Sequence, residues 1–327
     1  PIFRWEKTTT VNVGVDFALF RHRLSGTIEY YNKYSVDLLA AINGSPTQGF
    51  GYTTLMTNNG KMVNRGVEIT LSGEIIRQKD FSWNASLLYA FNRNKVKHIS
   101  VQPSLWDSRI SMPTSYPMVG KPLYGIYAYK WAGLNENGDP QVYDAENNVT
   151  SGPARDYHAL VYCGTTVPIH NASLTNVLRY KGFEFSAMLI LDAGHKLRSS
   201  NIPSINMSNG RITSTAKGIV DRWTQPGDVT DVPRLLFSND TENFNTHRTE
   251  LYRYSDLFVY DASNIRLSNI SLAYRVPAHW CKKISLSGAR LQFNVENVAT
   301  FAFDSKANYD LGGKVKPNYV WGLYLNF

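Results

Sequence analysis

Cysteine is scarce in this sequence, which contains only Cys163 and Cys281 among its 327 residues. The two lie far apart, and neither forms part of a CxxC motif or a Cys/His cluster that would indicate a metal site. Two unpaired thiols are the main interpretation, and a disulfide between them is the alternative. The sequence predicts no metal site and no cofactor.

Long hydrophobic runs are also missing. No stretch of about 18 apolar residues occurs, so a transmembrane helix is excluded. The first residues, PIFRWEKTTT, lack the basic and apolar regions of a signal peptide and do not begin with Met. We therefore expect an internal-to-C-terminal piece of a longer protein. Because 43% of its residues are hydrophobic, the chain has material for a large core despite a mean hydropathy of -0.30.

Catalytic motifs are absent as well. The 7 histidines form no HExxH pair, and neither GxSxG nor GxGxxG occurs. A carboxylate pair for glycoside hydrolysis can be assembled from Asp and Glu residues, but no spacing argues for one. We therefore predict that the protein is not an enzyme.

The charge is unbalanced, with a net charge of +8 and a pI near 9.3. The basic residues are scattered and form no tract or RNA-reading motif, so nucleic acid is not a predicted partner. A surface that lies near anionic lipid headgroups explains the positive charge at least as well.

What the sequence has in abundance is alternation of apolar and polar residues, which is typical of β-strands. The clearest case is Phe81 to Phe91, where Phe, Trp, Ala, Leu and Tyr alternate with Ser and Asn. In the strand at 283–296 the apolar phase slips between Leu286 and Leu291, which predicts a bulge near Gly288. The predicted strands lie at about 11–19, 24–30, 67–71, 81–91, 169–178, 183–192, 265–276, 283–296 and 319–327.

Alternation alone is also found in a soluble antiparallel sandwich. Two features favour a barrel in lipid. Several runs reach the roughly 9 to 11 residues that a tilted membrane strand needs, and aromatic residues such as Phe81, Tyr180 and Phe183 stand at strand ends, where an interfacial girdle would place them.

Connection lengths strengthen the barrel prediction, because outer-membrane barrels have short periplasmic turns and long extracellular loops. If Phe327 is periplasmic, every short turn falls on the periplasmic side and every long segment on the extracellular side. This alternation of short turns and long segments holds for about nine strands only if the segment 122–131 does not span the membrane. The predicted turns are near 20–23, 75–80, 179–182 and 277–282, and the predicted long segments are 35–61, 97–168, 193–264 and 297–318.

The C-terminal strand ends on a bare aromatic residue. Such an end resembles the signal by which outer-membrane barrels are recognised for insertion, and an apolar edge strand of a soluble sheet is the alternative. The residues that share the apolar phase, and form the predicted membrane-insertion signal, are Tyr319, Trp321, Leu323, Leu325 and Phe327.

A series of motifs in one order resembles the SusC/RagA family of TonB-dependent outer-membrane transporters, from residue 5 to residue 327. After the last motif, family members often carry a different loop from AFDSKANYDLGGKVKP, so no detail of this connection is carried over. The motifs are WEKTTTVNVGVDFALF, YYNKYSVDLL, NNGKMVNRGVEITL, FSWNASLLYAFNRNKV, YKWAGLNENGDP, YKGFEFSAML, RWTQPGD, DASNIRLSNISLAYRVP and FNVENVATF.

This resemblance implies an all-β, antiparallel transmembrane barrel of about 22 strands, of which residues 1–327 would supply about the last nine. It implies import of oligosaccharides, other glycans or peptides across the outer membrane of a Gram-negative bacterium. The partners it implies are a SusD-like surface lipoprotein as lid, outer-membrane lipid, and the TonB complex acting through a plug and N-terminal strands that precede Pro1. The alternative from another class is a secreted β-sandwich that binds or cleaves carbohydrate.

Aromatic residues crowd the two longest predicted loops. Aromatic faces suit stacking on sugars or gripping peptide side chains, and loops of about seventy residues also need such side chains for their own cores. Packing is the main interpretation for the set, with a minority contacting cargo or lid. The candidates for contact are Trp106, Tyr124, Tyr127, Trp131, Trp223, Tyr252 and Tyr254.

Two polar motifs each allow a structural and a functional interpretation. NENGDP, from Asn135 to Pro140, reads as a turn, with calcium binding as the alternative despite the absence of a twelve-residue calcium-loop spacing. In NRGVE, Glu68 either joins an interior salt bridge or faces the plug from the lumen.

Overall fold

The computed structural model describes residues 3–43, 47, 54–101, 108–152, 156–208, 211–235, 246–311 and 316–327. In chain order its strands are β1 (Lys7–Leu19), β2 (Leu24–Asn43), β3 (Thr54–Arg77), β4 (Phe81–His98), β5 (Gly125–Tyr129), β6 (Trp131–Leu134), β7 (Pro140–Tyr143), β8 (Val149–Thr150), β9 (Leu160–Thr165), β10 (His170–Tyr180), β11 (Phe183–Ala193), β12 (Lys196–Arg198), β13 (Ile205–Ser208), β14 (Arg211–Thr215), β15 (Val259–Asp261), β16 (Asn264–Arg275), β17 (Gly288–Ala302) and β18 (Asn318–Asn326).

Helices are few and short. Among the described residues, none is long and apolar enough to cross a membrane. The α-helices are α1 (Ser108–Ser111), α2 (Thr246–Arg253), α3 (Ala278–Lys282) and α4 (Asn308–Leu311), and the 3-10 helices are Tyr157–Ala159, Lys217–Asp221, Asp256–Phe258 and Ser305–Ala307.

In the part of the chain that the structure describes, nine strands form one antiparallel sheet in the order β1-β2-β3-β4-β10-β11-β16-β17-β18. The count of nine predicted from the sequence is confirmed. β5, which covers Gly125–Tyr129, pairs with β9 in a separate small sheet, so the segment 122–131 does not join the large sheet, as the connection pattern predicted.

The strand registers bring the apolar phases of all nine strands onto one face, which we call the apolar face. Leu87 of β4, for example, lies opposite Leu71 of β3 and Leu174 of β10. The series continues across β11, β16 and β17 to β18, where Phe293 faces Trp321. Period-two alternation in each strand therefore produces one continuous apolar surface once the strands are in register.

The opposite face, which we call the polar face, carries the charged side chains of the strand centres. Glu184 of β11 binds Arg179 of β10 at 2.7 Å and Arg290 of β17 at 3.3 Å. Asp192 of β11 binds Arg266 of β16 at 2.7 Å. Two of these pairs join neighbouring strands, and the pair of Glu184 with Arg290 reaches from β11 to β17 across β16. Acidic and basic side chains of the polar face therefore bind one another.

This arrangement does not fit a soluble sandwich, whose two sheets bury their apolar faces against each other. Here the described strands of the large sheet form a single layer, and its apolar face is exposed. Trp321, for instance, is 78% exposed. The sandwich alternative is therefore wrong, and the exposed face needs an apolar surrounding such as lipid.

The turns agree with the parity predicted from connection lengths. β1 and β2, β3 and β4, β10 and β11, and β16 and β17 are joined at one end of the sheet, the last pair through α3. The strand ends that border the connections 44–53, 99–169, 194–263 and 303–317 all lie at the other end of the sheet, which we call the loop end. The predicted segment 35–61 is shorter in the structure, because β2 and β3 continue as a long hairpin beyond the apolar region.

The bulge predicted near Gly288 is wrong. Gly288 is the first residue of β17 and pairs in regular register with Asn326. Leu286 precedes the strand, and its N–H donates to the carbonyl of Cys281 at the end of α3, so it belongs to the turn. The register shift between β16 and β17 lies instead between Leu267 and Asn269.

Both cysteines are free thiols. The disulfide alternative is therefore wrong, and the interpretation as unpaired thiols is confirmed. Burial raises the pKa of the Cys163 thiol to about 11.

Candidate functional site

The two longest connections fold together at the loop end into what we call the loop body, made of described residues from 99–169 and 194–263. Its core contains side chains from both connections, because Leu251 of α2 packs with residues of β5, β7 and β9. The buried members of this core are Tyr127, Tyr129, Val142, Ala159, Leu160 and Leu251.

Hydrogen bonds between backbone groups, and between side chains and the backbone, hold the two connections together. The N–H of Tyr129 donates to the carbonyl of Tyr254 at 3.0 Å. The guanidinium of Arg198 donates to the carbonyl of Tyr127 at 2.7 Å. The N–H of Trp131 donates to the carboxylate of Asp256 at 2.9 Å. These contacts make the loop body one unit rather than two independent loops.

Asp139 forms ion pairs with two arginines inside the loop body. Its carboxylate accepts from Arg234 at 3.2 Å and from Arg248 at 2.5 Å. Burial lowers the pKa of Arg248, while the hydrogen bond and charge of Asp139 raise it. No sequence signal links these residues, because the two arginines lie far along the chain from Asp139.

The NENGDP segment is a turn in the structure. The Asn135 side chain accepts the N–H groups of Asn137 and Asp139, both at 2.9 Å, which is the pattern of an Asx-type turn. The turn interpretation is therefore confirmed, and the Asp139 carboxylate at its end binds two arginines.

The structure places two of the predicted contact residues inside the core. Tyr127 is 1% exposed, and its hydroxyl accepts the N–H of Met118. Tyr252 is 6% exposed and packs edge-on against Phe258 with ring centroids 4.9 Å apart. Burial raises the pKa of Tyr252. In this structure both rings pack the loop body.

Three others are more accessible. Tyr124 is 46% exposed at the base of the loop body. Trp131 and Tyr254 are half-buried: the Trp131 indole donates to Asp231 at 2.9 Å, and the guanidinium of Arg198 lies over the Tyr254 ring. Trp106 lies outside the described residues.

Trp223 lines an open cleft of about 620 Å³ between the Asn135–Asn137 turn and the loop 226–230. Its ring lies against Gly138, where an added Cβ would come within 2.4 Å of the ring. Gly138 also has a φ of +73°, a conformation that other residues rarely adopt. Glycine at this position therefore lets the indole form one wall of the cleft.

The last long connection is tied to the loop body by a contact that sequence reasoning did not predict. Asp310 of α4 accepts from the hydroxyl of Ser199 at 2.7 Å and from the hydroxyl of Ser200 at 2.8 Å. No motif marks these residues, so the contact is visible only in the fold.

At the other end of the chain, the predicted insertion-signal residues all lie on the exposed apolar face of β18. The Trp321 ring packs on Phe293 of β17 at 4.2 Å, and Phe327 is 92% exposed at the turn end. Within the described residues, β18 has a neighbour on one side only, as does β1.

Comparison with known proteins agrees with this architecture. Residues 1–298 match the family model described as TonB dependent receptor-like, beta-barrel. TonB-dependent receptor P3 of Formosa agariphila is 25% identical over 98% of this chain and 32% of its own length. TonB-dependent receptor SusC of Bacteroides thetaiotaomicron is 25% identical over 90% of this chain and 28% of its own length. The chain thus spans about a third of the length of these curated relatives.

Among solved structures, the RagAB peptide transporter resembles this chain with a TM-score of 0.75 and 22% identity, covering 99% of this chain and 36% of that one. The RagAB peptide importer in its open-open state gives the same TM-score at 21% identity, over 100% of this chain and 35% of that one. These likenesses show the barrel fold. Together with the match over most of its length, they establish that the chain belongs to the TonB-dependent receptor-like β-barrel family.

Proposed function

We propose that this chain forms part of the barrel of a SusC-like importer in the outer membrane of a Gram-negative bacterium. The observation that carries the proposal is the continuous apolar face across the nine described strands, whose ends that border the long connections all lie on one side of the sheet. A face of this kind fits a barrel wall in lipid, and a folded loop body at one end fits the extracellular mouth.

The height of the apolar face supports a membrane position. β10 and β11 are each 11 residues long and pair over their full length, and β10 also pairs residue by residue with Phe81 to Phe91 of β4. A tilted membrane strand needs about 9 to 11 residues. At the turn end of this ladder Phe81, Tyr180 and Phe183 are aligned, as an aromatic girdle requires.

The cargo we propose is an oligosaccharide or a peptide, drawn in under a SusD-like lipoprotein lid that sits on the loop end. The RagAB structures, described as those of a peptide transporter, support the peptide class by fold alone, and the SusC relative supports membership of the same transporter type. Energy would come from the TonB complex through a plug, which we assign to the rest of the full-length protein.

Within this chain, the cleft beside Trp223 is the surface that we propose touches cargo or lid. An indole face beside the Asn135, Glu136 and Asn137 side chains offers stacking and hydrogen bonding together, which suits a sugar ring or a peptide backbone. Tyr124, Trp131 and Tyr254 are secondary candidates because their rings remain at least partly exposed.

The test uses cells that express the complete protein with Trp223→Ala, and Trp280→Ala as the control at the opposite end of the sheet. Uptake of labelled oligosaccharides and peptides is measured together with the amount of folded protein in the outer membrane. We expect Trp223→Ala to lower uptake or lid binding without lowering assembly, and Trp280→Ala to leave both unchanged. Unchanged uptake and lid binding in Trp223→Ala would remove the cleft from the proposal, and failure of the complete protein to reach the outer membrane would remove the proposal itself.

A further inference from the structure

The charges of the large sheet are divided between its two faces by sign. Apart from Asp37, which lies in a bulge of β2 and binds Arg4, every acidic residue of the nine described strands lies in register with the polar face. Those acidic residues are Asp16, Glu29, Glu68, Glu74, Glu184, Asp192 and Glu296.

The charged residues on the apolar face are all basic, and all lie at the loop end. In register these are Lys7 of β1, Lys61 and Arg65 of β3, and Arg93 and Lys95 of β4. Positive charge is therefore placed at one height of the outward surface, and the described strands place no acidic side chain in register beside it.

Three of these side chains, together with Lys97, form what we call the basic patch: Arg65, Arg93, Lys95 and Lys97. They are exposed and line one open pocket of about 370 Å³. Arg65 lies opposite Arg93, and Lys97 occupies the bulge in the pairing of β3 with β4. Two guanidinium groups and two ammonium groups around one pocket form a site for an anion that accepts several hydrogen bonds, such as a phosphate.

The position of the basic patch along β4 indicates which ligand it binds. Phe91 is the last apolar residue of the 11-residue ladder, and along β4 Arg93 and Lys95 follow at about 7 and 13 Å beyond it. That distance is the step from hydrocarbon to headgroups at a bilayer surface. A lid on the loop end would approach from above the strands, whereas this patch faces sideways into the surrounding lipid.

We infer that the basic patch binds a phosphate-bearing lipid headgroup in the leaflet on the loop-end side, and so fixes the depth of this wall in the membrane. This inference rests on the proposed function for its membrane and its orientation. Juxtamembrane basic side chains are attracted to anionic headgroups by an energy that corresponds to about a fivefold change in affinity for each charge.

The test uses the complete protein, purified in a zwitterionic detergent and titrated with phosphorylated lipopolysaccharide, with dephosphorylated lipopolysaccharide and with inorganic phosphate. The variant is Arg93→Gln with Lys95→Gln. The control, Lys33→Gln with Lys130→Gln, removes the same charge elsewhere. Lys33 lies at the same height on the polar face, beside the Tyr31 ring, and Lys130 lies in the loop body.

We expect the patch variant to bind phosphorylated lipopolysaccharide about 25-fold more weakly, and the control to bind like the unmodified protein. Equal binding by the two variants, equal binding of the dephosphorylated lipid, or equally tight binding of inorganic phosphate would overturn the inference. Loss of binding to an acidic lid protein with lipid binding retained would overturn it in favour of a protein partner. Heat-shift electrophoresis and uptake, measured in parallel, report on the proposed function separately: if they remain normal while lipid binding is unaffected, only this inference fails.

Discussion

Leu87 and Ser86 are adjacent residues of β4 that face opposite sides of the sheet, and replacing each with Arg tests the assignment of the faces. Leu87 lies opposite Leu71 and Leu174, near the middle of the 11-residue ladder. Ser86 lies on the polar face, where its hydroxyl is 2.9 Å from that of Ser72. The same new side chain therefore enters hydrocarbon at one position and a polar interior at the other.

The expected magnitude follows from depth. An arginine on the lipid face of a barrel near the midplane costs about 2–4 kcal/mol, which is a factor of about 30 to 900 in the folding equilibrium. Ser86→Arg loses one neutral hydrogen bond, worth about 1 kcal/mol. Leu87→Arg also loses the packing of the leucine against its two cross-strand neighbours, which adds to the difference.

The assay is heat-shift electrophoresis of the complete protein from outer-membrane fractions, with surface labelling to count assembled copies. We expect Leu87→Arg to leave a small fraction of heat-modifiable protein and Ser86→Arg to assemble nearly normally. If both variants assemble equally, the apolar face does not contact lipid. If Ser86→Arg alone fails, the two faces have been assigned in reverse.

Three further outcomes are expected. Phe327→Asp should lower outer-membrane assembly in surface labelling, whereas Tyr324→Ser, on the polar face of the same strand, should not; equal assembly would show that the strand end is not an insertion signal. Gly138→Ala should cost about 1–3 kcal/mol and displace the Trp223 ring, seen as a shift in tryptophan fluorescence, because the new Cβ would meet that ring at 2.4 Å; an unchanged spectrum and stability would refute the packing. In a variant whose other cysteine is replaced, Cys163 should react with iodoacetamide at pH 8 about 100-fold more slowly than a thiol of pKa 9.0. The reason is that only the thiolate reacts and the pKa of Cys163 is about 11. Rapid alkylation at pH 8 would show that the thiol is not buried.

The sequence predicted the strands of the membrane region because lipid imposes a local rule. Every second residue must be apolar wherever one face meets hydrocarbon, so the signal lies in each strand alone, as in Phe81 to Phe91. Beyond the membrane both faces of a hairpin meet water, so alternation of apolar and polar residues is no longer required. The outer halves of β2 and β3, towards Asn43 and from Thr54, carry no such alternation and were predicted as loop.

From the sequence, the loop body can be predicted only as two long connections that are rich in aromatic residues. Which rings are buried depends on partners far along the chain: Tyr127 is enclosed by α2 from the next connection, and Asp139 meets Arg234 and Arg248 from that same connection. Such pairings have no period and no fixed spacing. Composition predicted that loops of this size need a core, but only the fold separates Tyr127 from Trp223, which lines a cleft.

The two edge strands of the large sheet determine whether it is stable on its own. Within the described residues β1 and β18 each pair on one side only, so the outer backbone groups of both strands have no partner in this sheet. In hydrocarbon each such group costs several kcal/mol, and β1 and β18 are 13 and 9 residues long. An open sheet of this kind is not stable in a bilayer, although its apolar face is not stable in water either. If the proposed function holds, we expect strands outside residues 1–327 to pair with β1 and β18, and the apolar face to meet lipid only when that wall is closed.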